Sequence, residues 1–550
     1  MHTRRIYFDF GPTSSTGDLL VDSTRRSQGS SRRISRNGIR WWRLSSMHGP
    51  HMVSLSSTRI QRASEMSIER DAMGCDEYKP LTKTGSNLTD QGGVGYTVVD
   101  SLDTMQIMGL DKEYQRARGW IANKMTFDRD ANFNTFEITI RVLGGLLSSY
   151  HLSGGDSLFL QKAIDLADRI LPAFDTLTGL PFPEINLKER EGVDDPRSPG
   201  LISTAEASTL QLELKYLSFL TDNDVYWGKA EKVMKVIKAA TKSADSILVP
   251  IFMGASNGQF MISEIRLGSR ADSYYEYLLK QYLQTNKSEG VYLNMYAETM
   301  KAIHARLVRK GVVKGHTYTS ELLPERQQNG QVGWRVSPKQ DHLVCFLGGS
   351  LMLGATTTGT KGPVSVPPDL IELSKEAQAD WKLGEALIEA CVDTYTSSAT
   401  GLAPEIVHFW TEENKDLDSK TRDWYIKGGN RPGQNSYDAR YILRPETIES
   451  LFIAYRLTGD VKYRNYGWNI FQAIQKYCRV ESGGYASLLN VDNVKSIKMD
   501  KMETFFLSET LKYLYLLFSD ADVLPLDKYV FNTEAHPLPI FNPSIRTGFS

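Results

Sequence analysis

The chain has 550 residues, 41% hydrophobic and 23% charged, with 64 Lys+Arg against 65 Asp+Glu and a formal net charge of -1. That composition is globular and excludes collagenous, low-complexity and wholly disordered classes. It offers no general basic field for phosphates, which speaks against nucleic acid as the main partner, and no run approaches about 18 consecutive apolar residues, so no transmembrane helix is visible.

Residues 1–65 differ from the rest. They hold eleven Arg, thirteen Ser and no Lys, with Asp9, Asp18, Asp22 and Glu65 as the only acids. Apolar periodicity is absent, so the segment reads as disordered. Its Arg- and Ser-rich, acid-poor character is also that of a transit peptide, and it contains no secretory apolar core.

From residue 66 onward the chain reads as helical. Apolar residues recur at three- and four-residue spacing, as in Phe136, Ile140, Leu143 and Leu147. Four helices are predicted to end in similar turns: Tyr150 to Gly155, Ser218 to Asn223, Tyr455 to Asp460, and Leu517 to Asp520. After three of these an aromatic residue (Phe159, Tyr226, Tyr463) opens another amphipathic segment. Such hairpins cannot bury both faces alone and can close into a ring. A single all-α toroid spanning residues 66–550 explains the length better than several domains.

Each of the four helices also begins with a glutamate: Glu137, Glu206, Glu446 and Glu509, and a fifth begins at Asp272. Acids are ordinary in a first helical turn, where they offset the macrodipole. Five at equivalent positions are less ordinary, because parallel helices would gather them at one mouth. Arg141, Glu276 and Glu449 follow Glu137, Asp272 and Glu446 by three or four residues, and so share their helix faces. Clustered carboxylates suit glycosidic-bond cleavage by an acid and a base, or Ca²⁺ ligation by hard oxygens. Tyr274, Tyr275, Phe505 and Phe506 beside them suit either core packing or stacking on sugar rings. The cysteines are Cys75, Cys345, Cys391 and Cys478, with no Cys-x-x-Cys pair and no His-Glu-x-x-His, which gives zinc little support. The sequons at Asn87 and Asn286 are compatible with a secreted chain.

At these residues the chain resembles the class I α-1,2-mannosidases, glycoside hydrolase family 47. The motifs are Gly95 to Met105, Phe136 to Gly145, Gly268 to Glu276, His342-Leu343-Val344-Cys345-Phe346, Arg444-Pro445-Glu446-Thr447 and Phe531 to Pro537. The resemblance implies an (α/α)7 barrel closed at one end by a hairpin, and inverting removal of terminal α-1,2-linked mannose from high-mannose N-glycans. It implies that Glu137 protonates the leaving oxygen, that Glu446 is the base, and that Asp272 is an essential carboxylate that is an alternative acid. His342 is an alternative base. Arg141, Arg270, Arg444, Phe505 and Glu509 are expected against the substrate.

The resemblance also implies a Ca²⁺ held by the hydroxyl and carbonyl oxygens of Thr533, with waters fixed by Glu206, Glu276, Glu449, Glu509 and Glu534. It implies a Cys345–Cys391 disulfide, leaving Cys75 and Cys478 as free thiols, and with it an oxidising compartment. Arg270 matches the endoplasmic reticulum branch, which suggests trimming of nine mannoses to eight on the middle branch, in glycoprotein maturation and quality control. Two further readings are a weakly active glycan-binding homologue that targets misfolded glycoproteins for degradation, and a helical scaffold. The full set Glu137, Asp272, Glu446 and Thr533 favours the enzyme.

Overall fold

A computed structural model describes residues 50–550 apart from 244–246, 329, 361, 415, 430–435, 545–548 and 550, with side chains from residue 56. Among the described residues, fourteen of the helical segments alternate between an outer and an inner layer. The outer helices are α1 (Pro50–Asp71), α3 (Asp111–Asn123), α5 (Ser157–Ile170), α7 (Asp224–Ser243), α9 (Gly290–Arg306), α11 (Lys375–Thr396) and α13 (Val461–Tyr477). The inner segments are α2 (residues 96–107), α4 (135–152), α6 (204–221), α8 (Asp272–Gln284), α10 (342–358), α12 (Glu446–Thr458) and α14 (506–518).

Each inner segment touches the next, and α14 returns to α2, so the ring closes as the (α/α)7 barrel. The layers differ as their sequences require. Outer α5 buries one stripe, Phe159, Ala163, Leu166, Ala167 and Ile170, at three- to four-residue spacing. Inner α8 and α12 are buried on nearly every side. The predicted turns mark helix ends: Asp222 and Gly459 adopt the left-handed conformation that stops α6 and α12. The Asp460 side chain then caps α13 by accepting from the Lys462 amide at 2.9 Å.

One expectation is corrected at the N-terminus. Residues 1–49 lie outside the described residues, but 50–65 do not form a structureless tail: they belong to α1, which packs against α14. The buried positions, Ser57, Gln61, Ser64, Glu65 and Ile68, follow helical spacing. Most are polar, so the stripe carries no apolar signature. Ser101 and Gln61 bond the Glu65 carboxyl, while burial lifts it to about 8.

Among the described residues, strands form only two- and three-stranded sheets. One matters for the site: β1 (Tyr529–Phe531) pairs with β2 (Pro537–Pro539), with Phe531 opposite Pro537. Its turn, 532–536, reaches the inner helices α4, α8 and α14. Cys345 and Cys391 are bonded, stapling α10 to α11, and Cys75 and Cys478 are free. Among the described residues no helix is long and apolar enough to cross a membrane.

Candidate active site

The inner helices run in parallel, so their first turns share one end of the ring. A cleft opens there, lined by Glu137, Glu206, Asp272, Glu446 and Glu509 together with Glu276, Glu449, Thr533 and Glu534. The five carboxylates picked from helix starts therefore do gather. Arg141, Arg270, Arg444 and Phe505 also line the cleft. At two places the helix itself is widened: Ile138–Leu143 of α4 and Phe506–Thr510 of α14 form π turns, which re-aim Arg141 and Glu509.

Glu446 opens α12 beside Arg444, whose Nη1 lies 3.6 Å from Glu446 Oε1. Arg444 is fixed from behind by Glu405 through contacts of 2.5 and 3.0 Å. His342 is buried behind Glu446, with Nδ1 2.7 Å from Glu446 Oε2, while its Nε2 meets Tyr395 at 2.9 Å and Thr447 at 3.2 Å. Both ring nitrogens are thus engaged, and His342 orients Glu446 instead of facing the cleft itself. Burial alone would raise the Glu446 carboxyl, but the His342 hydrogen bond and Arg444 hold it below the ordinary carboxylate range.

Asp272 is set in the opposite sense. It opens α8 and accepts from the Ser273 amide at 2.9 Å. Burial, with added repulsion from Glu276 and Glu446, lifts it to about 7. Two carboxylates of one cleft are therefore pushed apart, one towards the proton-accepting form and one towards the proton-holding form. Glu137 is tied to Arg141, its Oε2 lying 2.7 Å from Nε. Arg141 and Arg444 both lean over Phe505, at 5.9 and 5.7 Å from the ring centre, which leaves the Phe505 ring fixed between two cations.

Arg270 precedes α8 with φ +74°. Its guanidinium lies over Phe252 at 5.0 Å and 3.9 Å from Glu206, not on Asp272, and it remains 41% exposed. The second ring of acids is held by a residue the sequence reading missed. Lys280 contacts Glu276 closely and Glu449 at 3.4 Å. Its position four residues after Glu276 on α8 was the available signal.

At the floor, Thr533 sits in the β1–β2 turn and donates its hydroxyl to Glu276 Oε2 at 2.9 Å. The carboxylates around it hold protons unusually well. Glu449 is lifted to about 7 by burial and by Glu276 and Glu446, against the pull of Lys280. Glu534 is lifted to about 8 by burial first, and its Oε2 is buried without a hydrogen-bond partner. Burial and three neighbouring glutamates push Glu509 well above the ordinary range. Such a crowd of acids fits a divalent cation, which would supply the missing positive charge. Among the described residues no three His, Cys, Asp or Glu side chains converge as direct ligands. A cation here would take the Thr533 oxygens and water, with the glutamates behind.

The model of glycosyl hydrolase family 47 matches residues 67–540. The chain is 46% identical over 494 residues to the mannosyl-oligosaccharide 1,2-alpha-mannosidase of Candida albicans, covering 88% of this chain and 83% of that one. It is 44% identical over 473 residues to the endoplasmic reticulum mannosyl-oligosaccharide 1,2-alpha-mannosidase of Schizosaccharomyces pombe, covering 85% of each. Among solved structures, the alpha-1,2-mannosidase from Trichoderma reesei superposes with a TM-score of 0.75 at 27% identity, over 89% of this chain and 99% of that one. With a family match across nearly the whole barrel and relatives at this identity, the chain belongs to glycosyl hydrolase family 47.

Proposed function

We propose that this protein is a calcium-dependent, inverting exo-α-1,2-mannosidase that trims high-mannose N-glycans in the endoplasmic reticulum. The names of its relatives support 1,2-α-mannosidase action on mannosyl oligosaccharides. The observation that carries the mechanism is the opposed environment of two cleft carboxylates, Glu446 held low by His342 and Arg444, and Asp272 lifted to about 7.

In this reading Glu446 takes a proton from water, and the oxygen so freed attacks the anomeric carbon. The bond to the leaving oxygen breaks, and that oxygen receives a proton from Asp272 or, through an intervening water, from Glu137. The attack inverts the anomeric centre. His342 holds Glu446 in orientation, and Phe505 with Arg141, Arg444 and Glu509 shapes the sugar site. Thr533 would hold Ca²⁺ with waters positioned by Glu206, Glu276, Glu449, Glu509 and Glu534, and the ion would supply positive charge and hydroxyl-orienting oxygen ligation at the floor. The exposed fork of Arg270 reaches branch hydroxyls and selects the middle branch, so nine mannoses become eight in glycoprotein quality control.

The test is digestion of a nine-mannose oligosaccharide, with products resolved chromatographically, before and after chelation. Release of one mannose, lost with EDTA and restored by Ca²⁺, is expected. Tight glycan binding without mannose release would instead establish the glycan-binding homologue, and full activity in calcium-free protein would refute the metal assignment.

A further inference from the structure

Beneath the cleft an unbroken line of buried charges joins the wall that bears Glu137 to the turn that bears Thr533. Arg141 is the upper end. Its guanidinium reaches Glu137 at 2.7 Å, Glu534 at 2.7 Å and Asp100 at 3.2 Å. The other Asp100 oxygen lies 3.3 Å from His536 Nε2, a charge contact without hydrogen-bond alignment, and His536 Nδ1 lies 2.8 Å from Asp103. Lys512 completes the line, 2.9 Å from Asp103 and donating at 2.8 Å to the carbonyl of Ala535, within the turn itself. Asp103, Lys512 and His536 are fully buried.

The His536 ring is seated by close packing. A Cβ on Gly144 would come within 2.6 Å of Asn532 Nδ2 and 3.0 Å of His536 Cδ2, so only glycine lets the turn approach α4 this closely. Asn532 ties the same turn to α4 by donating to the Ile140 carbonyl at 2.9 Å. Both ring nitrogens of His536 face carboxylates. Burial opposes its charge, but Asp103 and Asp100 outweigh that and lift it to about 9. Apolar packing could fill this space at equal or greater stability. What the charged line adds is direction, because a guanidinium fork is oriented by its partners.

We propose that His536 is a positioning residue for the hydrolytic reaction: by bridging Asp100 to Asp103 it fixes Arg141, and through Arg141 it fixes Glu137, registering the catalytic wall against the Thr533 floor. This rests on the reading of Glu137 as a catalytic carboxylate. A displacement of about 1 Å at a reacting group costs on the order of 10²-fold in rate.

The test is a double-mutant cycle in the full chain: His536→Gln, Glu137→Gln and both together, with kcat and KM on a mannosyl oligosaccharide, melting temperature, and calcium affinity by titration calorimetry. His536→Gln is expected to lower kcat about 10–100-fold with KM changed less than about threefold, and to weaken calcium by about tenfold. On the Glu137→Gln background, with both enzymes assayed at saturating calcium, it should lower kcat little further, since its route to the catalytic wall is already gone. Additive losses in the double variant, or a folded His536→Gln enzyme with wild-type kcat, would overturn the proposal. If His536→Gln does not fold, Asp100→Asn, which keeps shape but breaks the same line, is run through the same cycle with the same two outcomes. If Glu137→Gln alone keeps wild-type kcat, the reading of Glu137 fails, and the calcium affinity of His536→Gln decides whether the floor half of the line stands.

Discussion

Replacing Glu446 by Gln isolates the proton-accepting step, because the surroundings can tolerate the amide. The Gln carbonyl can still accept from His342 Nδ1, which now lies 2.7 Å from Glu446 Oε2. Arg444 loses a contact at 3.6 Å but keeps its two-pronged grip on Glu405. Exchanging a charged for a neutral hydrogen bond costs about 1 kcal/mol of stability. The chemical loss is larger. A water that has lost its general base reacts about 10²–10⁴-fold more slowly, which raises the barrier by about 2.7–5.4 kcal/mol. The sugar site proposed around Arg141, Arg444 and Phe505 is left intact, so KM should move little. Initial rates on a nine-mannose glycan, glycan affinity by calorimetry and a thermal melt separate these effects. A folded variant that retains turnover within about tenfold of wild type would refute the base assignment.

The alkaline limb of kcat/KM should fall near 7, because the proton-holding form of Asp272 disappears as pH rises through its folded value, and the acid limb should lie below the ordinary carboxylate range, where Glu446 finally takes a proton. If that limb survives unchanged in Asp272→Asn, Asp272 is not the proton donor. Arg270→Leu removes the fork that stands over Phe252 and near Glu206 while leaving the cleft acids in place. Isomer chromatography should then show additional eight-mannose products, and unchanged isomer ratios at equal conversion would reject the selecting role. Truncation that removes residues 50–65 should lower the melting temperature by several degrees, because it strips Ser57, Gln61, Ser64 and Glu65 from the α1–α14 contact, and an unchanged melt would show that this contact contributes nothing.

The barrel was legible wherever burial is apolar and periodic. The turns after Leu152, Thr221, Thr458 and Phe518 and the acids at helix starts were read from spacing alone, because parallel helices project equivalent positions to one end. α1 was not legible, since Ser57, Gln61, Ser64 and Glu65 bury a polar stripe that looks like a solvated segment. His342 was legible as a motif residue, but its place behind Glu446 depends on Tyr395, 53 positions away on another helix. Lys280 left a local mark, its position four residues after Glu276, but its second partner Glu449 lies on another helix; the Asp100–His536–Asp103 line was missed because its charges are partnered far along the chain, as with Lys512 and Asp103, and no local pattern encodes it. The π turn at Arg141 likewise leaves no local mark, since Phe136, Ile140, Leu143 and Leu147 keep three- and four-residue spacing through it.

The most direct test of the central claim is the configuration of the first-released sugar. Enzyme at high concentration is mixed with nine-mannose oligosaccharide, and the anomeric proton of free mannose is followed by NMR before mutarotation equilibrates it. With Glu446 acting on water, β-mannose must appear first and the α form only later. Immediate release of α-mannose would mean retention through a covalent intermediate and would contradict the role given to Glu446, and no release of mannose at all would contradict the enzyme reading itself.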